Sequence, residues 1–350
     1  MRRRATRRAI IVDDSAISRA LVREWLEVDG DLEVVGEACD GETAIELVGR
    51  LRPDVATIDL RMPGMSGLEL VAYLMAKAPL PILVLTGEAS KHDPGLAFEA
   101  VRRGALDLML KPSALDDEAI RSLRARVRWL ATVPVVRHID GHKPLEPAVV
   151  APRIGRASGD PVIVGIAASA GGPTALATVL GSLRADLPAC LAVVQHLPRG
   201  FAPSFVSFLQ GRCSLAVRLA APGLVPCAAT VVLAPDDSHL ELIDGRFALT
   251  SGPPVDGHRP SGTVLLRSLA ALGPAAIGVV LSGIGRDGAD GLRAMRDRHA
   301  ITFAQDAATS VVYGMPRAAV EDGAVQHVLP VGELGDAITA AIGARRRKLP

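Results

Sequence analysis

The sequence predicts an α/β fold divided between two domains, each built around a mostly parallel sheet. Three observations lead to this class. In both halves of the chain, short apolar runs alternate with stretches of helical periodicity, as repeated β–α units do. Over residues 132–160 the alternation stops in a segment rich in proline and mixed in charge, which predicts an interdomain linker. The length of 350 residues also favours two domains over one.

Residues 9–131 contain five β–α units in succession, which predicts a parallel sheet with helices on both of its faces. The strand-like runs are, in order, AIIV, LEVVGEA, VATIDL, PILVLT and LDLML. The helical patterns that follow them are SAISRALVREWLEV, GETAIELVGRL, GLELVAYLMAK, GLAFEAVRRG and DDEAIRSLRARVRWLA. Residues 1–8 are basic but lack the apolar region of a signal peptide, so we expect a solvated tail.

Residues 161–347 restart the alternation with the strand PVIVGIA and the helix PTALATVLGSL. The strand-like CLAVVQH and the helical FAPSFVSFLQ come next, before a middle part that is rich in strands. Within that part, LELIDGRFALT places the turn residues DG between two alternating runs, which predicts a β-hairpin. The strands AIGVVLSG and AITFAQ, with the helical patterns around them, complete a second doubly wound, mostly parallel domain.

The composition narrows the classes of function. A net charge of +1 gives no electrostatic basis for binding nucleic acid. No apolar run approaches the length that crosses a bilayer, so we expect no direct membrane insertion. The scattered cysteines predict buried reduced thiols rather than disulfides or metal ligands; they are Cys39, Cys190, Cys213 and Cys227. We therefore expect a cytoplasmic protein. Separately, we expect a monomer.

Acidic residues follow two strands of the first predicted sheet. Asp13 and Asp14 come directly after AIIV, and Asp59 lies near the end of VATIDL. Because the carboxyl ends of parallel strands share one edge of the sheet, we expect these carboxylates to converge there. A divalent cation relieves their mutual repulsion, and ligands that are all oxygen favour Mg²⁺. The sequence therefore predicts a magnesium site at this edge.

Two further polar residues end strands at the same edge, Thr86 in PILVLT and Lys111 after LDLML. An acceptor aspartate, a metal ion, a hydroxyl and a lysine are the groups that accept and hold a phosphoryl group. Through VDDS, DLRMPGMSG, LTG and KP, this half resembles the receiver domain of two-component response regulators. The resemblance implies a flavodoxin-like (βα)5 fold, with Asp59 as phosphoacceptor and with Thr86 and Lys111 as phosphate-reading residues. Leu108 replaces the family's usual aromatic residue, so we expect a different switching route.

The stretch GIAASAGG (165–172) lies between a predicted strand and a predicted helix, where small residues allow close approach to the backbone. One interpretation is a phosphate cradle made with Gly165, Ala167 and Ala170. A dinucleotide fingerprint needs G-x-G-x-x-G/A and an acidic residue about 20 positions later. Here alanine replaces the middle glycine, and the next strand ends in Gln195–His196, so both departures fall on ligand-binding positions.

The other interpretation is a nucleophile turn that presents Ser169, with Gly171 and Gly172 leaving room for an acyl group. Backbone N–H groups at the start of the following helix then stabilise an oxyanion. His196 ends the next strand, and Asp287 follows the strand AIGVVLSG, so a base and an orienting carboxylate reach the same sheet edge. This pattern predicts a hydrolase triad in the chain order Ser, His, Asp.

Three other residues compete for these roles. Ser282 precedes a glycine in another tight turn, His258 lies in the polar segment DGHRPSG, and His239 follows two aspartates in APDDSHL. Residues in such positions more often cap helices or make hydrogen bonds than act as catalysts. The pattern alone therefore leaves the choice between them and the predicted triad open.

The second half resembles the catalytic domain of the chemotaxis methylesterase family CheB. The matching segments are GIAASAGG, VVQHLPRGF, APDDSHLEL, GPPVDGHRPS, LSGIGRDGADG and AQDAATSVVYGMPR. The resemblance implies Ser169 as nucleophile, His196 as general base and Asp287 as the residue that orients the base. It also implies that backbone N–H groups near Ala170 and Ile284 bind the oxyanion, and that the esterase site needs no cofactor.

The chain departs from the usual family pattern at four positions near this site. Ala167 replaces a glycine, and Ala170 replaces a threonine whose hydroxyl would lie beside the nucleophile. Ile284 replaces a methionine, and Arg286 replaces an asparagine. Because Ile284 still supplies a backbone N–H, we expect these changes to affect rate and substrate preference more than the type of reaction.

The two resemblances together imply a protein-glutamate methylesterase that phosphorylation controls, with glutamine deamidation as a second activity. They imply methylated chemoreceptor helices as substrate and a chemotaxis histidine kinase as phosphodonor to Asp59. They also imply that the unphosphorylated receiver blocks the esterase. Three alternatives remain from the sequence: a second half that is only a binding module, a receptor pathway other than chemotaxis, and a nucleotide-binding regulator.

Overall fold

The structure, a computed structural model, describes residues 6–87, 94–133, 135 and 161–346. The chain divides into two compact units, Met1–Lys143 and Pro144–Pro350. Residues 1–5 of the predicted tail, and residues 134 and 136–160 of the predicted linker, lie outside the described residues. None of the helices in the described part of the chain has the length and apolar character that crossing a bilayer requires.

The first unit alternates five strands with five helices, which confirms the predicted β–α units. In chain order they are β1 (Arg7–Val12), α1 (Ala16–Glu27), β2 (Leu32–Ala38), α2 (Gly41–Leu51), β3 (Val55–Ile58), α3 (Gly67–Lys77), β4 (Ile82–Thr86), α4 (Pro94–Arg102), β5 (Asp107–Leu110) and α5 (Asp117–Leu130). All neighbouring strands pair in parallel, in the order β2-β1-β3-β4-β5. The central strands β3 and β4 are buried along their whole length, as expected for a parallel sheet with helices on both faces.

Short polar side chains fix where the helices of this unit begin. Ser15 accepts a hydrogen bond from the N–H of Ser18 at the start of α1, and Asp40 accepts one from Thr43 at the start of α2. At α3, Ser66 and Glu69 cap each other's backbone N–H groups reciprocally. Each cap satisfies helix N–H groups that have no partner within the helix. The loops between strand and helix are thereby held short, and polar residues stay at the carboxyl edge.

The second unit begins with strand β6 and ends with helix α11. In chain order its elements are β6 (Val162–Ala168), α6 (Gly172–Gly181), β7 (Ala189–Gln195), α7 (Ala202–Gln210), β8 (Ala216–Leu219), β9 (Thr230–Leu233), β10 (His239–Ile243), β11 (Arg246–Thr250), α8 (Gly262–Ala270), a short 3₁₀ turn (Gly273–Ala275), β12 (Ala276–Val280), α9 (Ala289–Asp297), β13 (Ile301–Gln305), α10 (Met315–Glu321), β14 (His327–Leu329) and α11 (Val331–Arg346).

Seven of these strands form one parallel sheet, in the order β14-β13-β12-β6-β7-β9-β8. Strands β10 and β11 form the predicted hairpin, an antiparallel pair that turns at Asp244 and Gly245, both with positive φ. The sheet order places β7 on one side of β6 and β12 on the other. In a doubly wound fold, the crevice for a ligand opens at such a reversal, outside the carboxyl ends of the strands. The carboxyl end of β6 is therefore the expected site.

The cysteine prediction is partly wrong. All four cysteines are free thiols, as expected, but only Cys190 in β7 is buried. Cys39 and Cys227 are exposed, and Cys213 is half-buried. The exposure of Cys39 and Cys227 follows from their positions, because Cys39 comes after the last residue of β2 and Cys227 lies in the loop between β8 and β9. A neighbouring apolar run therefore did not show whether a cysteine lies inside a strand or in the loop beside it.

Candidate active site

Three loops at the carboxyl edge of the second sheet carry Ser169, His196 and Asp287. Ser169 directly follows β6, His196 directly follows β7, and Asp287 lies in the loop between β12 and α9. The backbone N–H of His196 donates to the carbonyl of Ala168 at 3.1 Å, so the first two loops leave adjacent strands side by side. The N–H of Ser169 donates to the carbonyl of Ser282 at 3.0 Å, which joins the third loop to the first. The predicted residues therefore share one edge.

Ser169 is 2% exposed and lies in a tight turn into α6. Its carbonyl accepts the N–H of Gly172 at 2.8 Å, and Gly171 has a left-handed φ of 73°. The prediction that Gly171 and Gly172 leave room for an acyl group is wrong. A Cβ at Gly171 would overlap Val311, and a Cβ at Gly172 would overlap the side chain of Gln195. The space beside these two glycines is occupied by other side chains of the protein.

Gln195 was missed as a functional residue by the sequence reasoning, which treated it only as a poor ribose ligand. It is 4% exposed, and its amide Nε2 donates to the carbonyl of Ser169 at 2.8 Å and to that of His196 at 3.0 Å. One side chain thus ties together the backbone of two predicted triad residues. Its place at the end of β7, directly before His196, was the available signal.

The side chains of His196 and Asp287 are in direct contact. Nε2 of His196 lies 2.8 Å from Oδ2 of Asp287. An ionised carboxylate only accepts hydrogen bonds, so Nε2 carries the proton of the neutral ring and donates it. The other ring nitrogen, Nδ1, is buried and has no hydrogen-bond partner among the described residues. Nδ1 is therefore the basic atom of the imidazole at this site.

Asp287 is 1% exposed and is surrounded by donors from the start of α8. Its oxygens accept hydrogen bonds from the hydroxyl of Ser261 at 2.6 Å and from the N–H groups of Gly262 and Thr263 at 2.6 and 2.9 Å. Burial alone would raise the pKa of Asp287, but the hydrogen bonds from His196, Ser261 and Thr263 outweigh it and hold the pKa well below its usual range. The positive end of the helix dipole acts in the same direction. The carboxylate is ionised at neutral pH.

Two backbone N–H groups, one directly after Ser169 and one in the loop after β12, are candidates for binding an oxyanion. They belong to Ala170 and Ile284, and neither amide has an acceptor among the residues that the structure describes. Gly283 allows the loop after β12 to approach Ser169. A Cβ at Gly283 would overlap Met315 and would lie 2.8 Å from the Cβ of Ser169. Unpaired N–H groups beside a serine hydroxyl are the arrangement that stabilises a tetrahedral oxyanion.

The phosphate-cradle interpretation of the same stretch fails on the position of its small residues. Gly165 lies inside β6, where a Cβ would overlap Leu269 of α8, so it is not part of a turn. Ala167 is fully buried, and its methyl group packs where a Cβ at Gly262 would otherwise lie. Neither backbone is open to a pyrophosphate. These small residues serve helix–sheet packing.

The three competing residues have other roles. Ser282 is fully buried, and its hydroxyl donates to the carbonyl of Ala170 at 2.7 Å and accepts from the N–H of Val312 at 2.9 Å. His239 is 2% exposed and holds the loop before α8, since Nδ1 accepts from the N–H of Ser261 and Nε2 contacts the carbonyl of Pro253. Both are structural hydrogen-bonding residues. The ring of His258 stacks on that of His196, with centroids 3.6 Å apart.

The first unit carries a second cluster, at the carboxyl edge of its own sheet. Asp13, Asp14 and Asp59 each offer a carboxylate oxygen, and these oxygens lie within 4.8 Å of one another. Asp13 and Asp59 are buried, whereas Asp14 is exposed. An all-oxygen donor set that opens to solvent on one side fits Mg²⁺, which keeps several of its water ligands. The residues present are therefore compatible with the predicted magnesium ion.

Lys111 lies at the same cluster. Its Nζ is 2.6 Å from Oδ2 of Asp13 and 2.5 Å from Oδ2 of Asp59. Burial alone would lower the pKa of Lys111, but the hydrogen bonds to both carboxylates outweigh it and raise the pKa. Thr86 is buried at the end of β4, where its carbonyl accepts the N–H of Lys111 at 2.8 Å. Leu108 is buried within β5, in register with Val84 of β4.

Known families match both units. The family described as CheB methylesterase matches residues 164–338, and the family described as response regulator receiver domain matches residues 9–122. The chain is 44% identical over 334 residues to "Protein-glutamate methylesterase/protein-glutamine glutaminase 2" of Anaeromyxobacter dehalogenans (strain 2CP-C), which covers 95% of this chain and 96% of the relative. It is 40% identical over 334 residues to "Protein-glutamate methylesterase/protein-glutamine glutaminase 1" of Cupriavidus pinatubonensis (strain JMP 134 / LMG 1197), with coverage of 95% and 96%.

A solved structure resembles the second unit. The crystal structure of the Thermotoga maritima CheB methylesterase catalytic domain aligns with a TM-score of 0.50 and 32% sequence identity, over 51% of this chain and 98% of that one. The similarity therefore extends from the sequence to the arrangement of the second sheet and its helices. The alignments with the two curated relatives cover 96% of each relative and 95% of this chain, so the similarity extends over both units.

Proposed function

The chain belongs to the CheB family of methylesterases that carry a receiver domain, and we propose that Ser169, His196 and Asp287 are its catalytic triad. It is a protein-glutamate methylesterase and protein-glutamine glutaminase, the activities named for its relatives. The substrate is the γ-methyl ester of a glutamate on a chemoreceptor, and the products are the free carboxylate and methanol. The protein acts in the cytoplasm as a monomer, where the receptor's methylated helices lie.

The first half of the reaction forms an acyl-enzyme. The hydroxyl oxygen of Ser169 attacks the ester carbonyl while Nδ1 of His196 takes the hydroxyl proton. This assignment of Nδ1 rests on the pairing of Nε2 with Asp287 at 2.8 Å. The N–H groups of Ala170 and Ile284 donate to the developing oxyanion. Each such donor contributes roughly 3–4 kcal/mol to the stability of the transition state. The intermediate collapses, and methoxide leaves as methanol with the proton from Nδ1.

The second half releases the glutamate. A water molecule attacks the acyl carbon, and Nδ1 of His196 takes its proton and returns it to Ser169. Throughout, the ionised Asp287 accepts the hydrogen bond from Nε2–H of His196 and stabilises the imidazolium that forms. A glutamine side chain presents the same carbonyl at the same distance from the main chain, so the same steps release ammonia instead of methanol. Both reactions need no cofactor at this site.

The first unit regulates the esterase through phosphorylation of Asp59. Asp13, Asp14 and Asp59 would hold a Mg²⁺ ion, and the bound ion would supply positive charge against the phosphoryl oxygens. The ion pair of Lys111 with Asp59 is replaced by contact with the phosphoryl group, and Thr86 supplies a hydroxyl to the same group. The phosphodonor is a histidine kinase of the chemotaxis system. Because the carboxylate of Asp59 is already negative, phosphorylation adds a charge of about −1 together with new phosphate oxygens, and this change biases the receiver between two states.

The contact between His196 and Asp287 is the single observation that carries this proposal. Its test is methanol release from membranes with radiomethylated receptors, incubated with the full-length protein and a small phosphodonor. We expect release by the wild type and none above background by Ser169→Ala. Release that persists in Ser169→Ala would contradict the assignment of the nucleophile. A wild-type protein that binds receptors without releasing methanol would instead indicate a binding module.

A further inference from the structure

The ring of His258 lies flat against the ring of His196. The two centroids are 3.6 Å apart, and the planes differ by 18°. The stack joins His196 to the loop between β11 and α8, a segment that supplies no member of the proposed triad. This contact is separate from the hydrogen bond to Asp287, so it adds a second constraint to the proposed base.

One hydrogen bond does not fix the orientation of an imidazole. The ring rotates about its Cβ–Cγ bond, and Nε2 lies closer to that axis than Nδ1 does. A twist of the ring therefore moves Nδ1 further than it moves Nε2. His196 can keep its bond to Asp287 while Nδ1 turns out of the direction in which it would take the proton of Ser169, because Nδ1 has no hydrogen-bond partner of its own among the described residues. A flat partner on the ring face opposes this twist directly.

His258 is itself held by a tight turn. The N–H of His258 donates to the carbonyl of Val255 at 3.0 Å, and the N–H of Val255 donates back at 3.1 Å. The two residues between them, Asp256 and Gly257, both have positive φ, of 53° and 80°. Two left-handed residues inside such a pair form the turn that joins the strands of a tight hairpin. The ring therefore projects from a rigid piece of backbone.

The turn is also tied to the residues that surround Asp287. The hydroxyl of Thr263 donates to Oδ2 of Asp256 at 3.3 Å, and the N–H of the same threonine donates to Asp287 at 2.9 Å. Thr263 is fully buried at the start of α8. The turn that carries His258 and the carboxylate of Asp287 are therefore both hydrogen-bonded to the start of α8.

We propose that His258 is a positioning residue that sets the ring plane of His196, and with it the direction of Nδ1. The inference rests on the proposed esterase function. The flat ring of His258 carries the effect through its stacking, not through proton transfer. A phenyl ring should therefore replace it, whereas a small side chain should not. Misplacement of a reacting atom by about 1 Å costs on the order of 100-fold in rate.

The test measures kcat and KM for methanol release by full-length, phosphorylated His258→Ala and His258→Phe. We expect kcat to fall by about 10- to 100-fold in the alanine variant, with KM changed by less than about 2-fold. The phenylalanine variant should keep kcat within about 3-fold of the wild type. If the alanine variant fails to fold, His258→Asn carries the same expectation. Equal losses in the phenylalanine and alanine variants would overturn a role through stacking.

A spectroscopic readout separates positioning from general damage. In nitrogen-15 spectra of the imidazoles, we expect the proton on Nε2 of His196 to stay bonded to Asp287 in His258→Ala, while kcat falls. Loss of that signal would overturn the proposal, since Asp287 itself would then be disturbed. The matched control is His327→Ala, because His327 also contacts an aromatic ring, that of Phe303, but lies at the start of β14. We expect it to keep wild-type kcat.

The two hypotheses fail in different ways. A wild-type protein that releases no methanol would overturn the proposed function. A wild type that is active together with a fully active His258→Ala would overturn only the role of His258.

Discussion

Nε2 of His196 lies 2.8 Å from Oδ2 of Asp287, and this pairing decides which nitrogen of the ring is free to act as a base. Asp287 accepts donors on both of its oxygens, so the proton must be on Nε2. Nδ1 then holds the lone pair, and this nitrogen has no hydrogen-bond partner among the described residues. The proposed reaction therefore runs through Nδ1, and each residue that orients the ring or its neighbours affects the rate.

Asp287→Asn should abolish most of the activity. An amide in place of the carboxylate brings an NH₂ group against N–H donors from the start of α8, or forces the other tautomer on His196. We expect kcat to fall by about 1,000- to 10,000-fold, measured as methanol release. A variant with more than a tenth of the wild-type kcat would contradict the role given to this carboxylate.

The difference in stability between the wild type and Asp287→Asn should depend on pH. The pKa of Asp287 is lowered in the folded protein, so this group stabilises the fold above its ordinary pKa of about 3.9. That contribution is lost as the pH falls below about 4 towards the folded pKa, because the unfolded chain then binds more protons. In urea unfolding, the gap between wild type and Asp287→Asn should be about 1–3 kcal/mol at pH 7 and smaller at pH 3.5. A gap that widens at low pH would contradict the shift.

Gly283→Ala should disable the oxyanion loop. A Cβ at this position overlaps Met315 and lies 2.8 Å from the Cβ of Ser169, so the loop has to move away from the nucleophile. We expect kcat to fall by about 100-fold or more, the cost of removing one oxyanion donor. Gly332→Ala is the matched control, since a Cβ at Gly332 meets nothing within 4 Å. Equal activity of the two variants would show that the approach of this loop does not matter.

Gln195→Leu should lower both stability and activity. It removes the hydrogen bonds from Gln195 to the carbonyls of Ser169 and His196, and the carbonyl of Ser169 keeps only its bond from the N–H of Gly172. We expect a loss of about 1–3 kcal/mol in the free energy of unfolding, together with a lower kcat. Gln210→Leu is the control, because Gln210 also bonds backbone groups, those of Leu215 and Val217, away from the triad. Its expected effect is a loss of stability at unchanged kcat, and a similar fall in kcat in both variants would contradict a local role for Gln195.

Phosphorylation should depend on Asp59 and on a divalent cation. With a small radiolabelled phosphodonor and Mg²⁺, we expect label on the wild type and none on Asp59→Asn, measured on denaturing gels. Chelation of Mg²⁺ with EDTA should abolish labelling, because the three carboxylates at this edge then repel the phosphoryl group. Asp116→Asn keeps the helix cap of α5 and should be labelled normally. Labelling of Asp59→Asn at the wild-type level would place the phosphoacceptor elsewhere.

Much of the fold was predictable because its pattern is local. Apolar runs and helical periodicity located the strands, and the ends of β6, β7 and β12 placed Ser169, His196 and Asp287 at one edge. The three carboxylates of the first unit followed from the same rule. In a parallel sheet, position along the chain translates directly into position at the sheet edge.

What the sequence did not predict depends on contacts between distant segments. The space beside Gly171 is filled by Val311, which lies far along the chain, so its use as room for substrate could not be judged locally. The same holds for the stack of His258 on His196 and for the two bonds of Gln195. The direction of Nδ1 depends on the side-chain rotamer that His196 adopts in the folded site. The local sequence pattern predicts which residue types reach the edge of the sheet, whereas the orientation of a ring there is decided by its packing.

Covalent labelling of Ser169 tests the central claim, that a triad with Nδ1 of His196 as base activates this serine. The measurement is mass spectrometry of the intact and digested full-length protein after treatment with a serine-reactive phosphonate. We predict one phosphonyl group, on the peptide that contains Ser169, and no label in Ser169→Ala or His196→Ala. Ser207→Ala, which changes an exposed serine of α7, should be labelled as the wild type is. An unlabelled wild type, or label that persists in Ser169→Ala, would contradict the account.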